Sequence, residues 1–199
     1  MKKIKIKYLA IVIVFFIVLL DQILKFYIKL NFKLGEQYII FDWFRIYFLE
    51  NSGIAWGLKL SEENWGKYLQ VILRLISIPI IYYYLLKYIK NNLKIPVISL
   101  SLILGGAIGN LIDGLFYGMI FSSSEGQIAT LFPKEGGYSS FMLGNVVDMF
   151  FFPLFTIKIP SFIPLIGNSE FLFFQYVFNI ADSAITIGFI LLLLFYKKF

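Results

Sequence analysis

"FNIADSAITIGFILLLLF", residues 178–195, decides how this chain is read. From Ala184 onward it is an apolar run of the kind that fills a membrane core. Asn179 and Asp182 stand at its start. They are three apart, so on a helix they share a face. A chain that puts an amide and a carboxylate there must hold them inside protein or at a wet membrane edge. The question is whether other polar groups gather at the same level.

Moving outward from that run, 59% of the 199 residues are hydrophobic and 20% aromatic. A soluble domain of this size has too little interior for so much apolar surface, so the class is a polytopic membrane protein. The length suits one compact unit, a single domain over 1–199. About 20 mostly apolar residues cross a bilayer as a helix. Four stretches meet that, at about 8–28, 66–89, 95–117 and 175–196, with outer loops at 29–65 and 118–174. The expected fold is all-α, a four-helix membrane bundle. A small β-rich element on the outer face is expected from the aromatic and β-branched run "YIIFDWFRIYFLEN". Pro79 is expected to kink the second span.

Charge sets the direction. Lys2, Lys3, Lys5 and Lys7 precede the first span, Lys87, Lys90 and Lys94 fall between the second and third, and Lys197 and Lys198 follow the fourth. The positive-inside rule makes these segments, and both termini, cytoplasmic. Every acid lies on the outer side or in the outer half of a span. The net charge of +6 thus flanks apolar runs and is no nucleic-acid footprint. "MKKIKIK" followed by apolar residues resembles a secretory leader, but no small-x-small cleavage site follows. The chain has no Cys and no His. Disulfides and thiolate chemistry are excluded, and the commonest zinc ligand and general base are missing. Proton transfer at neutral pH falls to carboxylates, Lys, Tyr or water.

The polar clusters are few: "DQILK" (Asp21, Gln22, Lys25), "ENSGIAWG" (Glu50, Asn51, Gly53, Ala55), "GGAIGNLIDG" (Gly105, Gly106, Gly109, Asn110, Asp113), "NVVDM" (Asp148) and "FNIAD" (Asn179, Asp182). A charge in mid-span costs roughly 2.5–3.5 kcal/mol on insertion scales. Each cluster has a plain structural reading: an interfacial ion pair, helix packing through glycine, a loop acid, a helix cap. Capping a helix start, however, needs only one of Asn179 and Asp182. Together the topology gathers carboxylates and carboxamides in one outer layer. Two carboxylates there cannot both ionise cheaply, so they tend to share a proton, one activating water and the other protonating a leaving group.

In this order the five motifs resemble those of lipoprotein signal peptidase (signal peptidase II). The resemblance implies a membrane aspartic endopeptidase that cleaves a prolipoprotein just before its diacylglyceryl-modified cysteine, with no metal and no cofactor. It implies Asp148 and Asp182 as the catalytic pair, Asn51, Asn110, Asp113 and Asn179 lining the site, and Asp21 and Lys25 supporting it. It also implies prolipoprotein and membrane lipid as partners, a monomer, and a bacterial inner-membrane location with the site near the outer face. Two departures stand out. Gly114 follows Asp113 where the family usually has Arg, so Arg74 or Lys25 is expected to supply that cation. Residues 121–144 and 149–174 are longer than the family pattern; "FMLG" and "FFFPLFTIKIPSF" are expected on the membrane surface, and loss of 122–140 is expected to spare the fold. The residues alone also allow a proton-coupled carrier or channel, which wants its acids near the midplane, or a non-catalytic assembly factor.

Overall fold

The computed structural model describes residues 2–51, 64–161 and 168–195, residues 2–4 by their backbone only. Gly53 and Ala55 of the "ENSGIAWG" motif, and Lys197 and Lys198, lie outside the described residues. Helix α1 runs Lys2–Asn31, α2 Trp65–Lys90, α3 Lys94–Ile112 and α4 Ile180–Phe195. α3 continues through a π-helical turn, Asp113–Tyr117, and one last turn, Gly118–Ile120. Three of these segments, Lys5–Asn31, Trp65–Lys90 and Lys94–Ile120, are long and apolar enough to cross a membrane. α4 is apolar, with 16 residues among those described. It starts five residues later than the sequence suggested, because the chain before it is held extended. Phe178 bridges Phe150, each backbone N–H donating to the other's carbonyl (2.8 and 3.1 Å).

α3 is the axis of the bundle. Of its most apolar stretch 61% is buried, against 17% for α1 and 11% for α2. Small residues let its neighbours close in. Ile17 and Val14 of α1 sit against Gly105, and the Ala181 carbonyl of α4 occupies the space a side chain at Gly106 would need. The outer faces of α1 and α2 expose Ile11, Phe15, Phe16, Leu73 and Ile76. Such faces suit lipid and not water. At the end of the bundle bearing Lys7, Lys87 and Lys94, Ala10, Leu85, Val97, Leu100 and Leu104 form one apolar cluster.

At the other end an antiparallel sheet in the order β1-β2-β3 covers the bundle: β1 is Gln37–Phe41, β2 Phe44–Asn51 and β3 Val146–Phe151. The first two strands fall in the expected β-rich element; the third comes from the long loop. Register places Leu49 opposite Asp148 and Asn51 opposite Val146. Beneath the sheet lie Ile28, Phe48, Tyr117, Phe121, Val147 and Met149. A second hairpin follows, β4 Phe155–Lys158 with β5 Glu170–Phe173.

Residues 121–145 are not a free appendage. A π turn leaves backbone carbonyls out of register, and this segment satisfies them. Gly144 N donates to Gly114 O (3.0 Å), Met142 N to Leu115 O (3.2 Å) and Ser139 N to Gly118 O (2.8 Å). Tyr138 and Ser124 cover Lys29 from the same segment. The expectation that loss of 122–140 would spare the fold is therefore revised: those residues are part of the wall.

Candidate active site

The start of α4 builds the first half of the site. Asn179 is its N-cap: Asp182 N donates to Asn179 Oδ1 (2.9 Å), and Asn179 N donates to Asp182 Oδ2 (3.4 Å). This reciprocal capping box uses both residues, so both serve the cap that the sequence argument assigned to only one. The cap also aims them. With Oδ1 engaged, Asn179 turns Nδ2 away from the helix, where it donates to Asp148 Oδ1 (2.7 Å) and to Val147 O (3.2 Å).

β3 supplies the second half. Asp148 is 3% exposed. Its Oδ2 accepts from Asn51 Nδ2 (3.3 Å), a diagonal neighbour on the same face of β2. Burial, and after it the Asp182 charge, push the Asp148 carboxyl up to about 8, against the hydrogen bonds from Asn51 and Asn179. Asp182 is half-buried, and its Oδ1 accepts from Asn110 Nδ2 (2.8 Å). Asn179 thus touches both carboxylates.

Behind the pair lies a fully buried ionic group. Lys25 Nζ meets Asp21 Oδ2 at 2.8 Å and Asp113 Oδ2 at 2.7 Å, and donates to Asn110 Oδ1 at 2.8 Å. A lysine can only donate, so it fixes Asn110 with its oxygen inward and its amide N–H toward Asp182. Asp21 reaches further: its Oδ1 accepts from Ala181 N (2.9 Å), tying α1 to the first turn of α4. Asp21 Oδ2 lies 2.6 Å from where a side chain at Gly109 would begin. Gly106 makes room for α4 and offers no polar contact of its own. Asp113 also accepts from Val147 N (3.3 Å), which steadies β3 beside Asp148.

Two further groups complete the site: Gln22 and Glu50 stand in the polar clusters of the sequence without a role, and Lys29 is not singled out there. Gln22 donates to Asp113 Oδ1 (2.9 Å) and Asp21 Oδ2 (3.2 Å) while Tyr117 OH donates to its Oε1 (3.1 Å). One turn beyond Lys25, the buried Lys29 pairs with Glu50 (2.5 Å) and faces the rings of Tyr138 (4.7 Å) and Phe121 (5.2 Å). Glu50 also accepts from Ser124 (2.9 Å) and Asn145 (2.9 Å). Burial alone would raise Glu50, but Lys29 and these donors hold it below the usual carboxylate range. Asp21, Lys25 and Lys29 follow one another at intervals of four on an apolar helix, but that spacing does not say which way Lys29 turns. As for the missing cation, Arg74 Nη1 donates to Asn110 O (3.3 Å) and lies 3.7 Å from where a side chain at Gly114 would start. Lys25 is already committed to Asp21 and Asp113, so the geometry favours Arg74.

Comparison with known proteins gives concordant matches. A family model described as signal peptidase (SPase) II matches residues 13–197. A lipoprotein signal peptidase from Porphyromonas gingivalis is 44% identical over 194 residues, covering 96% of this chain and 84% of the relative. One from Amoebophilus asiaticus is 32% identical over 182 residues, covering 89% and 72%. A solved structure described as a bacterial membrane enzyme is 25% identical, covers 95% of this chain and 87% of its own, and superposes with a TM-score of 0.63. A second, described in the same words, has a TM-score of 0.60 at 24% identity, covering 93% and 90%.

Proposed function

The chain belongs to the signal peptidase II family, and on that premise we propose that it is a membrane aspartic endopeptidase that removes the signal peptide from diacylglyceryl-modified prolipoproteins, cutting before the lipidated cysteine. The observation that carries this reading is Asn179, whose one side chain touches Asp148 and also forms the reciprocal cap with Asp182. In the proposed reaction Asp148, the more buried acid, holds the proton at neutral pH. Water adds its oxygen to the scissile carbonyl carbon and loses a proton to Asp182, while Asp148 protonates the carbonyl oxygen. On collapse the C–N bond breaks, the proton on Asp182 passes to the leaving nitrogen, and Asp148 recovers its proton from the diol. No metal or cofactor enters. The chain would work as a single-domain monomer in the bacterial inner membrane, as four spans with both termini cytoplasmic and the site near the outer face.

A carrier would want its acids midway along the helices, open to both sides. Here the buried charged groups gather at one end of the bundle; at the other end the buried polar side chains among the described residues are Ser99 and Ser101, which bond back to their own helix. The test is cleavage of a diacylglyceryl-modified prolipoprotein by purified protein in detergent. Asp148→Asn and Asp182→Asn are each expected to lose at least about 10²–10⁴-fold in rate while staying folded. Undiminished activity in either would overturn the assignment.

A further inference from the structure

The β4–β5 hairpin has two unlike faces. Side chains alternate along a strand, and directly opposed residues share a face. Pairing of Phe155 with Phe173 and of Ile157 with Phe171 puts four apolar side chains on one side. Lys158 opposite Glu170, and Thr156 opposite the half-buried Leu172, lie on the other, which carries three polar residues and one apolar. All four apolar residues are 40–52% exposed, and neither strand packs extensively on another described element. A lone two-stranded hairpin is marginal in water. A face of this composition therefore needs a cover that the described residues do not supply.

The structure also says what adjoins it. β5 leads into α4, which enters the apolar bundle at Ile180. A run of ring contacts joins the hairpin to that level: Phe155 on Phe173 (4.8 Å), Phe173 to Phe174 (6.0 Å), Phe174 to Phe178 (6.2 Å), Phe178 on Phe152 (5.7 Å) and Phe152 to Trp43 (6.2 Å). Trp43, at the tip of the β1–β2 hairpin, is 52% exposed. Exposed aromatic rings level with the end of a membrane bundle mark the interfacial layer.

We propose that the β4–β5 hairpin lies flat on the bilayer surface at the site end of the bundle, with the Phe155, Ile157, Phe171 and Phe173 face in the headgroup–acyl boundary and Lys158 and Glu170 toward water. The hairpin is thereby a lipid-held arm whose chain runs straight into Asn179. Its occupant is the bilayer itself, not substrate and not a second copy.

The chain has no cysteine, so single-cysteine variants report one position each. Phe171→Cys and Ile157→Cys sample the apolar face; Thr156→Cys and Glu170→Cys sample the polar one. Each is labelled with an environment-sensitive fluorophore and placed in vesicles of phosphatidylethanolamine and phosphatidylglycerol bearing spin-labelled acyl chains, without substrate. Apolar-face labels are expected to be quenched at a depth of about 5–10 Å, and polar-face labels to stay in water. Using two positions per face keeps the outcome clear if one substitution disturbs the hairpin. Equal behaviour of the two faces would overturn the proposal. So would quenching that appears only when a lipidated peptide is added, or cysteine cross-links between copies at position 171. The readout does not involve cleavage, so a failed peptidase assignment leaves it standing.

Discussion

Asp148 is a buried carboxylate that bears on stability and, in the proposed reaction, on rate. Burial beside Asp182 raises it to about 8 from an ordinary 3.8. If it holds the proton that catalysis needs, kcat/KM for prolipoprotein cleavage is expected to fall as pH rises through about 8. The same shift opposes folding. Between 3.8 and about 8 the folded chain keeps a proton that the unfolded chain has released, so stability falls as pH rises across that window. Asp148→Asn removes the penalty. It is expected to be inactive yet no less stable than the parent at pH 8 in a thermal melt. Arg74 acts on the same group from a distance. Arg74→Gln is expected to slow cleavage by about tenfold and to move the alkaline limb to higher pH, since a cation that favours the ionised carboxylate has gone. A role in packing alone would leave the limb where it was. Much of this residue-level picture was legible because an acid in an apolar run is costly and needs a reason. Lys29 was not, because a lysine near a helix end usually means a side chain reaching for headgroups. Only the fold shows it turned inward to Glu50.

Among the elements, α3 carries the tightest constraint. The Ala181 carbonyl already fills the space of a side chain at Gly106. Gly106→Leu is expected to separate α3 from α4, costing at least about 1–3 kcal/mol and reducing cleavage, because Asn110 and Asp182 sit on those two helices. Thermal unfolding in detergent read beside the cleavage assay checks both effects. The Lys29–Glu50 pair does a similar job for the sheet, holding β2 to the end of α1. Lys29→Met would strand a buried carboxylate, and about 3–5 kcal/mol is the expected loss. Lys29→Met with Glu50→Gln should recover part of it. Since Glu50 is held below its ordinary 4.5, its contribution is present above that value and is lost as pH falls through the depressed one. The acid limb of the stability profile should flatten in the double variant. The helices could be read from apolar run lengths, but β3 could not. "VVDMFF" is six residues in a long loop, and what makes it a strand is pairing with β2 nearly a hundred positions earlier in the chain.

Taken whole, the molecule is a bundle whose polar groups meet at one end, as the clustering of acids anticipated. The position of that layer came from charge asymmetry and its membership from the resemblance. The route by which distant segments meet required the structure. Phe178 pinned to Phe150, Asp21 capping α4 and the loop 121–145 sealing the π turn are contacts between residues far apart in sequence, and no local pattern encodes them. The start of the fourth helix also came out differently from the run-length reading, at Ile180 and not near 175, because the chain before it is held extended against β3.

That first turn has a consequence for biosynthesis. Asp21 is translated early and waits, with Lys25 and later Asp113, for an amide that leaves the ribosome some 160 residues afterwards. Until α4 docks, Asp148 lacks both the Asn179 amide and the Asp182 carboxylate beside it. A nascent chain halted before residue 178 should insert its first three helices and remain inert toward every signal peptide passing through the same translocation machinery. Competence would then arrive in a single step, with the docking of α4.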